Sequence, residues 1–444
     1  MSTHRLPLIA ACAALLSLPA SAQLVPDLGG VTHGTGLLPP LPRIDVPVVG
    51  DLLEREPQAA ELATPTLNRV GQSGISARLG RRDLERLREA RLEKLIDDYP
   101  AELDRDRDDY PVRRGELLLV DPDAAGVATA RAAGFSQVEE TRLDALGVRL
   151  VTLAIPAQDE DVRDAIKRLR KAAPDLVIDY NHVFEPAGGG LAPMTGAAAA
   201  TGQPRAASGT IAIIDGGVAS HPSLSAANLR QRAFASQVVP TGHGTAVASL
   251  VVGNEGAFRG ASRGTRLLVA DIYGGSPAAG SASAIANAIA WAVAEKADVI
   301  NISLVGPRNA LVERAIAGAR RRGVEVVAAV GNDGPAAPDP YPASYAGVVA
   351  ITGVDEHGRA LREAGRTDNL AFAAPGADLA AARPGGGYIE VRGTSFAAPL
   401  ASARLLARGN VISLGREAVK GKGRVGRGIV CMPCRIDPDQ VGAK

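Results

Sequence analysis

The pattern of apolar and polar positions divides the chain into two unlike halves. From about residue 209, short apolar runs bounded by Gly and polar turns recur at Thr210–Ile214, Arg266–Ile272, Val299–Leu304, Val324–Val330 and Gly347–Thr352. Runs of that length with little polar alternation predict strands covered on both faces. Between and after them, Ser281–Ala294, Ala310–Arg322 and Phe396–Arg408 carry helical spacing. The alternation predicts an α/β domain over 209–444, a mostly parallel sheet with helices on both faces.

Residues 115–186 form a smaller unit. Strand patterns at Glu116–Asp121, Val138–Leu143, Val148–Ile155 and Leu176–Tyr180 enclose helical patterns at Asp123–Ala133 and Asp159–Lys171. The order β-α-β-β-α-β is that of the split βαβ motif, a small α+β ferredoxin-like domain. Ahead of it, residues 23–114 open as a Pro- and Gly-rich extended region. Ile75, Leu79, Leu84, Leu87, Leu92 and Leu95 then predict an exposed, charged amphipathic helix, and Asp104–Asp109 a solvated turn. Residues 187–208, mostly Gly, Ala, Thr and Pro, predict a flexible linker.

Residues 1–22 read as a signal peptide. His4 and Arg5 precede an apolar run, Leu6–Leu18, and Ala20-Ser21-Ala22 supplies a small-residue cleavage site. No later run is long and apolar enough to span a bilayer. The mature chain is therefore expected to be exported, periplasmic or extracellular, without a membrane span.

Composition narrows the function. The 444 residues carry 49 basic and 48 acidic side chains, a net charge of +1. That balance argues against a nucleic-acid partner, which calls for a basic excess. Three cysteines exclude a disulfide-built scaffold. The charge is unevenly placed: residues 205–444 hold 26 basic against 18 acidic groups, and residues 23–204 hold 22 against 30. Opposite signs on neighbouring units favour their docking.

Four segments of the second half carry candidate chemistry. In Ile211-Ala212-Ile213-Ile214-Asp215-Gly216-Gly217, an apolar strand ends in a carboxylate, at the sheet edge where parallel sheets bind ligands. In Thr241-Gly242-His243-Gly244-Thr245, a His stands at the entry to a small-residue helix. In Gly393-Thr394-Ser395-Phe396-Ala397, a Ser stands at a helix start after a Gly. In Ala328-Ala329-Val330-Gly331-Asn332-Asp333-Gly334, a buried strand runs into a polar turn. Taken singly, each is an ordinary cap or turn. Together, and in the order Asp, His, Ser, they resemble the signature motifs of subtilisin-like serine peptidases, the subtilases. The order differs from that of chymotrypsin-like enzymes and of α/β-hydrolases.

The resemblance covers about residues 209–408. It implies a serine endopeptidase with Asp215, His243 and Ser395 as catalytic triad and Asn332 in the oxyanion hole. It also implies a substrate-binding strand at Ser303, Leu304, Val305 and Gly306, where a peptide adds as a further strand. Val305 replaces a glycine frequent in relatives, which bears on the width of the specificity pocket. Tyr341-Pro342-Ala343, Ala374-Pro375-Gly376 and His221-Pro222 fit the same pattern as structural features. The unit 115–186 resembles, by topology, the inhibitory propeptide of such enzymes. A precursor inhibited in cis by its own propeptide, cut in the linker and released as a monomer acting on proteins or peptides, is the expectation. The chemistry needs no cofactor, and no carboxylate loop supports a structural calcium site. After Arg408 the likeness weakens, because Gly409–Gly428 is short for the helices expected there and Val425–Val430 reads as a closing strand. Cys431-Met432-Pro433-Cys434 has the spacing for a local disulfide in an oxidising compartment. The rival reading is a catalytically silent relative that only binds peptides.

Overall fold

Residues 80–156, 160–187 and 208–443 are described by a computed structural model of the chain. The signal-like segment 1–22, the stretch 23–79 and linker residues 188–207 lie outside the described residues. The first described element is helix α1 (Arg81–Asp98). A five-stranded antiparallel sheet follows, built from β1 (Leu103–Arg105), β2 (Pro111–Val120), β3 (Ser136–Leu143), β4 (Val148–Ala154) and β5 (Val177–His182). Strand β2 is central: it pairs with β4 along one edge, β5 along the other, and β1 at its start. Helices α2 (Ala124–Ala132) and α3 (Val162–Ala172) complete the split βαβ order, capped by the Asp123 and Asp161 carboxylates. The sheet therefore begins before residue 115, because Leu103–Arg105 pairs with Pro111–Arg113.

The alternation along these strands decides what each face covers. Leu117, Leu119, Val151 and Leu153 turn towards α2 and α3. Their neighbours Leu118, Val120, Val148 and Leu150 join the core of the large domain. A short strand, β6 (Glu185–Pro186), leaves β5 and enters that domain.

The large sheet has seven parallel strands in the order β16-β15-β14-β12-β7-β11-β8. They are β7 (Thr210–Asp215), β8 (Leu229–Ala233), β11 (Arg266–Asp271), β12 (Val299–Ile302), β14 (Glu325–Ala329), β15 (Val349–Val354) and β16 (Leu370–Pro375). Shorter pieces are β9 (Asn254–Glu255) with β10 (Phe258–Arg259), β13 (Leu304–Val305), and the hairpin of β17 (Leu379–Ala382) and β18 (Tyr388–Val391). Ala212, Ile214, Ile300, Ile302, Val326 and Ala328 face helices α5 (Ala282–Ala294) and α6 (Ala310–Arg321). Ile211, Ile213, Val299, Val327 and Ala329 face α4 (Gly242–Val252) and α7 (Thr394–Arg408). Helices on both faces explain why these strands read as unbroken apolar runs.

The small sheet docks on α5 and α6 through their N-termini. Asn309 caps α6 by accepting from the Leu311 and Val312 N–H groups, and its Nδ2 donates to the Tyr180 carbonyl at 2.9 Å. Asp179 accepts from the Ala310 N–H at 2.6 Å, placing a carboxylate at the positive end of the helix. Asn181 accepts from the Ser283 N–H at the start of α5. Arg314 pairs with Asp121, one contact between the basic and acidic halves.

Three expectations are corrected. Helix α1 is not simply exposed: Leu84, Leu92, Leu95 and Ile96 are buried, and Leu95 packs in one cluster with Leu103, Val183 and Ala278. The Asp104–Asp109 run is not merely a solvated turn. Asp106 is buried and bonded to His182 Nε2 at 3.1 Å. Burial alone would raise its carboxyl, but the His182 contact and the Tyr110 and Asp108 N–H groups hold it below the usual range. Val425–Val430 is not a regular strand; Ile429 makes isolated bridges to Ala373 and Val419. The tail still closes the core. Leu414, Val430, Cys431, Cys434 and Ile436 share a cluster with Phe372 and Leu379. Cys431 and Cys434 are joined in a disulfide, and Glu417 binds both Arg404 and Arg408.

Replacing Asn309 by Ala removes the cap of α6 and its bond to the small sheet together. In a Ser395→Ala background it is expected to cost about 1–2 kcal/mol, read as a lower midpoint in urea unfolding.

Candidate active site

The site lies at the carboxyl ends of the central strands. Strand β7 ends in Asp215, fully buried, whose Oδ1 accepts from the Gly216 N–H at 2.7 Å. Thr241 is the N-cap of α4, its hydroxyl accepting from the Gly244 N–H, so His243 falls in the first turn. Gly244 is required there, because a Cβ would lie 2.4 Å from the Gly216 carbonyl oxygen. The turn before the helix is tied by Asp271 at the end of β11, which accepts from the Val239, Tyr273 and Gly274 N–H groups. His243 Nδ1 sits 2.9 Å from both carboxylate oxygens of Asp215. That bond assigns the ring's proton to Nδ1 and leaves Nε2 as an acceptor.

Ser395 lies in the first turn of α7, after Gly393, whose φ of 146° no other residue adopts readily. Its Oγ and His243 Nε2 are both buried without a hydrogen-bond partner, and the rings of His243 and Phe396 are 5.3 Å apart. No hydrogen bond joins the two atoms in this conformation. Contacts of this kind are often long in a resting site and tighten only in the reacting complex.

Asn332 follows Gly331, in the left-handed region at φ 77°. Its Oδ1 accepts from the Thr394 N–H at 3.0 Å, supplying the cap that Gly393 cannot. Its Nδ2 is thereby turned outward and donates to the carbonyl oxygen of Ala187. Beside it, the Ala187 N–H donates to the Ser303 carbonyl at 2.8 Å, while β6 pairs antiparallel with β13, Pro186 opposite Leu304 and Glu185 opposite Val305. On the other side, the Phe184 N–H donates to the Gly280 carbonyl, and the Tyr273 hydroxyl to the Phe184 carbonyl at 3.0 Å. Burial, then the nearby Asp215 charge, push the Tyr273 phenol well above its ordinary range, so it stays a neutral donor. The chain's own segment 183–187 is thus extended, paired with β13 on one side and held by Gly280 and Tyr273 on the other. Gly306 adjoins this strand under the Phe184 ring.

Sequence reasoning placed Ser303 on the substrate strand but missed the buried network that holds this frame. The Ser303 Oγ donates to the Ser395 carbonyl at 3.0 Å and accepts from Asn301 Nδ2 at 2.9 Å. Ser402 donates to Asn301 Oδ1. A buried Asn inside an apolar strand is the one local sign of such a network. Arg91 of α1 was also unforeseen: it binds Glu185 through two contacts and Asp333 at 3.0 Å. His221 caps the short turn 222–224 and bonds to the Gly387 carbonyl. Among the described residues, no cluster of three or more His, Cys, Asp or Glu is grouped to hold a metal ion.

A parallel sheet that gathers Asp, His and Ser in that chain order, from a strand end, a helix entry and a helix start, defines a subtilisin-like serine peptidase. Residues 207–408 match the model of the subtilase family. Over 197 residues the chain is 34% identical to subtilisin Savinase of Lederbergia lenta, covering 43% of this chain and 71% of that one. It is likewise 34% identical to an alkaline protease of Alkalihalobacillus alcalophilus, over 43% of this chain and half of that protein's length. Among solved structures, fervidolysin of Fervidobacterium pennivorans, described as a keratinolytic enzyme related to subtilisin, superposes with a TM-score of 0.59 at 19% identity, over 73% of this chain and 61% of that one. The chain belongs to the subtilase family, the subtilisin-like serine endopeptidases.

Ser303→Ala breaks the link between β12, the groove and α7. With Asn301 Nδ2 left buried and unpaired, the expected loss is about 1–3 kcal/mol, measured by urea unfolding of the Ser395→Ala chain.

Proposed function

We propose that the chain is an exported serine endopeptidase made as a precursor inhibited in cis by its own segment 80–187. The observation that carries this reading is the Ala187 carbonyl on the Asn332 amide while β6 pairs with β13. That is how a substrate's acyl side would lie, with its backbone paired and the reacting oxygen facing a fixed donor.

In this reading Ser395 Oγ attacks the Ala187 carbonyl carbon and passes its proton to His243 Nε2. Asp215 keeps the ring in the right tautomer and stabilises the imidazolium. The oxygen that gains charge is met by Asn332 Nδ2 and the Ser395 N–H, at the positive end of α7. The imidazolium then gives its proton to the leaving amine as the C–N bond breaks, and water repeats the sequence on the acyl-enzyme. The bond cut in maturation is the one after Ala187, so the mature chain begins at Gly188.

The segment remains in place after cutting because it is anchored beyond the cleft. The small sheet covers α5 and α6. Arg91 ties the strand's Glu185 to Asp333, next to Asn332. The apolar run 6–18 followed by Ala20-Ser21-Ala22 supports export, and no helix of the described residues is long and apolar enough to cross a membrane.

Mass spectrometry of the purified wild-type chain is expected to give two pieces, the second starting at Gly188, and Ser395→Ala a chain uncut at that bond. An uncut wild type, or cutting in the Ser395→Ala chain purified alone, refutes self-processing. Arg91→Ala is expected to shorten the lag before activity appears by roughly two- to fivefold, the scale of a partly exposed ion pair.

A further inference from the structure

We infer that Glu363 and Arg392 are positioning residues for the reaction: their ion pair fixes the Asn332 amide relative to the Ser395 N–H, and it acts on turnover through Asn332. The inference rests on the proposed roles of Asn332 and Ser395.

Asn332 and Ser395 belong to different segments, the turn after β14 and the start of α7. The Thr394 N–H joins them by donating to Asn332 Oδ1. One hydrogen bond leaves the two segments free to swivel about it. A third segment, 363–365 between β15 and β16, closes the frame. Its backbone grips the turn at both ends. The Gly365 N–H donates to the Gly331 carbonyl at 2.9 Å, and the Gly334 N–H donates to the Glu363 carbonyl at 2.8 Å. That approach needs glycine at 365, because a Cβ there would run into the Val330 carbonyl oxygen. The side chain of the same segment reaches the other side of the site. Glu363 Oε1 accepts from Arg392 Nε at 2.7 Å, and Oε2 from Nη2 at 3.1 Å. Between Arg392 and Thr394, the Gly393 N–H donates to the Gly376 carbonyl at 2.7 Å.

The contacts therefore form a ring. It runs from Asn332 to Thr394, back along the chain to Arg392, across to Glu363, and through Gly334 to the turn that carries Asn332. Two parallel N–H···O bonds fix the plane of the guanidinium as well as its distance, so the ring keeps no swivel at this link. Burial argues in the same direction. Glu363 is 1% exposed and the Arg392 side chain 24%. Taking a carboxylate out of water costs about what its attraction to one partner returns, so an apolar pair of similar volume would hold the fold as well. An apolar pair can slide, whereas a bidentate pair holds one register.

The test uses the full chain, allowed to mature, with active sites counted by a fluorophosphonate. Both kcat and KM are measured on succinyl-Ala-Ala-Ala-p-nitroanilide. Glu363→Gln is expected to lower kcat roughly tenfold and to change KM less than about twofold, the pattern of an interaction used in the transition state alone. Arg392→Lys, which keeps the charge, is expected to retain a higher kcat than Arg392→Gln. In an Asn332→Ala background, Glu363→Gln is expected to cost less than about twofold more, because the group it aims is gone. Glu363→Leu combined with Arg392→Met guards against misfolding of the single variants: it is expected to keep the wild-type urea midpoint and lose kcat roughly tenfold. An unchanged kcat in Glu363→Gln, a full tenfold loss on top of Asn332→Ala, or wild-type kcat in the Leu/Met chain overturns the inference and leaves the peptidase reading intact. A Leu/Met chain that does not fold assigns the pair to stability and overturns it too. Wild-type kcat in Asn332→Ala strikes down the proposed oxyanion site along with the inference.

Discussion

One side-chain amide joins the parts of the site. Asn332 stands in a turn made possible by Gly331, and its two ends face different segments. The oxygen accepts from Thr394, a backbone donor at the start of α7 that has no partner within the helix. Because that bond occupies the oxygen, the amide cannot flip without stranding the donor, and its N–H₂ must face the groove. The helix that carries Ser395 therefore also aims the group proposed to receive the oxyanion. Gly393 has no side chain to compete for the cap, so position 393 serves both the backbone turn and the aim of Asn332.

Buried polar contacts extend this constraint across the sheet. Asn301, Ser303 and Ser402 connect β12, the groove strand and α7 through hydrogen bonds closed to water. In a low-dielectric interior such a network has few alternative arrangements, since each broken bond leaves a group unpaired. On the far side, Asp271 accepts three backbone N–H groups and holds the approach to α4. Asp215 and His243 are thereby fixed from one edge of the groove, and Ser395 and Asn332 from the other. Ser395 Oγ and His243 Nε2, the pair proposed to exchange a proton, are both left without a hydrogen-bond partner by these contacts.

Much of this was legible in the sequence for physical reasons. Strands covered on both faces leave continuous apolar runs, as at Thr210–Asp215 and Val299–Ile302. The edge strand Leu229–Ala233 and the Ala-rich strands Leu370–Pro375 and Leu379–Ala382 left weaker marks, because Ala carries little strand preference and an edge strand keeps polar side chains. Asp106 was hidden in a run of charges, since its partner His182 is 76 positions away. The stripe on α1 was visible, but periodicity names no partner. Cys431 and Cys434 are close in sequence, so their pairing needed no tertiary information.

The segment 184–187 illustrates a limit of a different kind. By composition it ends a small domain and begins a linker, and by pattern it is too short to be a strand. Its backbone is ordered by the groove, through bonds that any extended peptide could make. Backbone pairing alone cannot distinguish an inhibitor from a substrate. The distinction has to come from what the segment is attached to. Here the small sheet is anchored on α5 and α6, and Arg91 ties the strand back to Asp333. Attachment raises the effective concentration of the strand at the groove far above that of a free peptide. In the proposed precursor, inhibition therefore depends on the docking of the small domain more than on the strand itself. Cutting after Ala187 leaves every one of those docking contacts unbroken, so release must await loss of the small domain's hold, by its unfolding or its digestion.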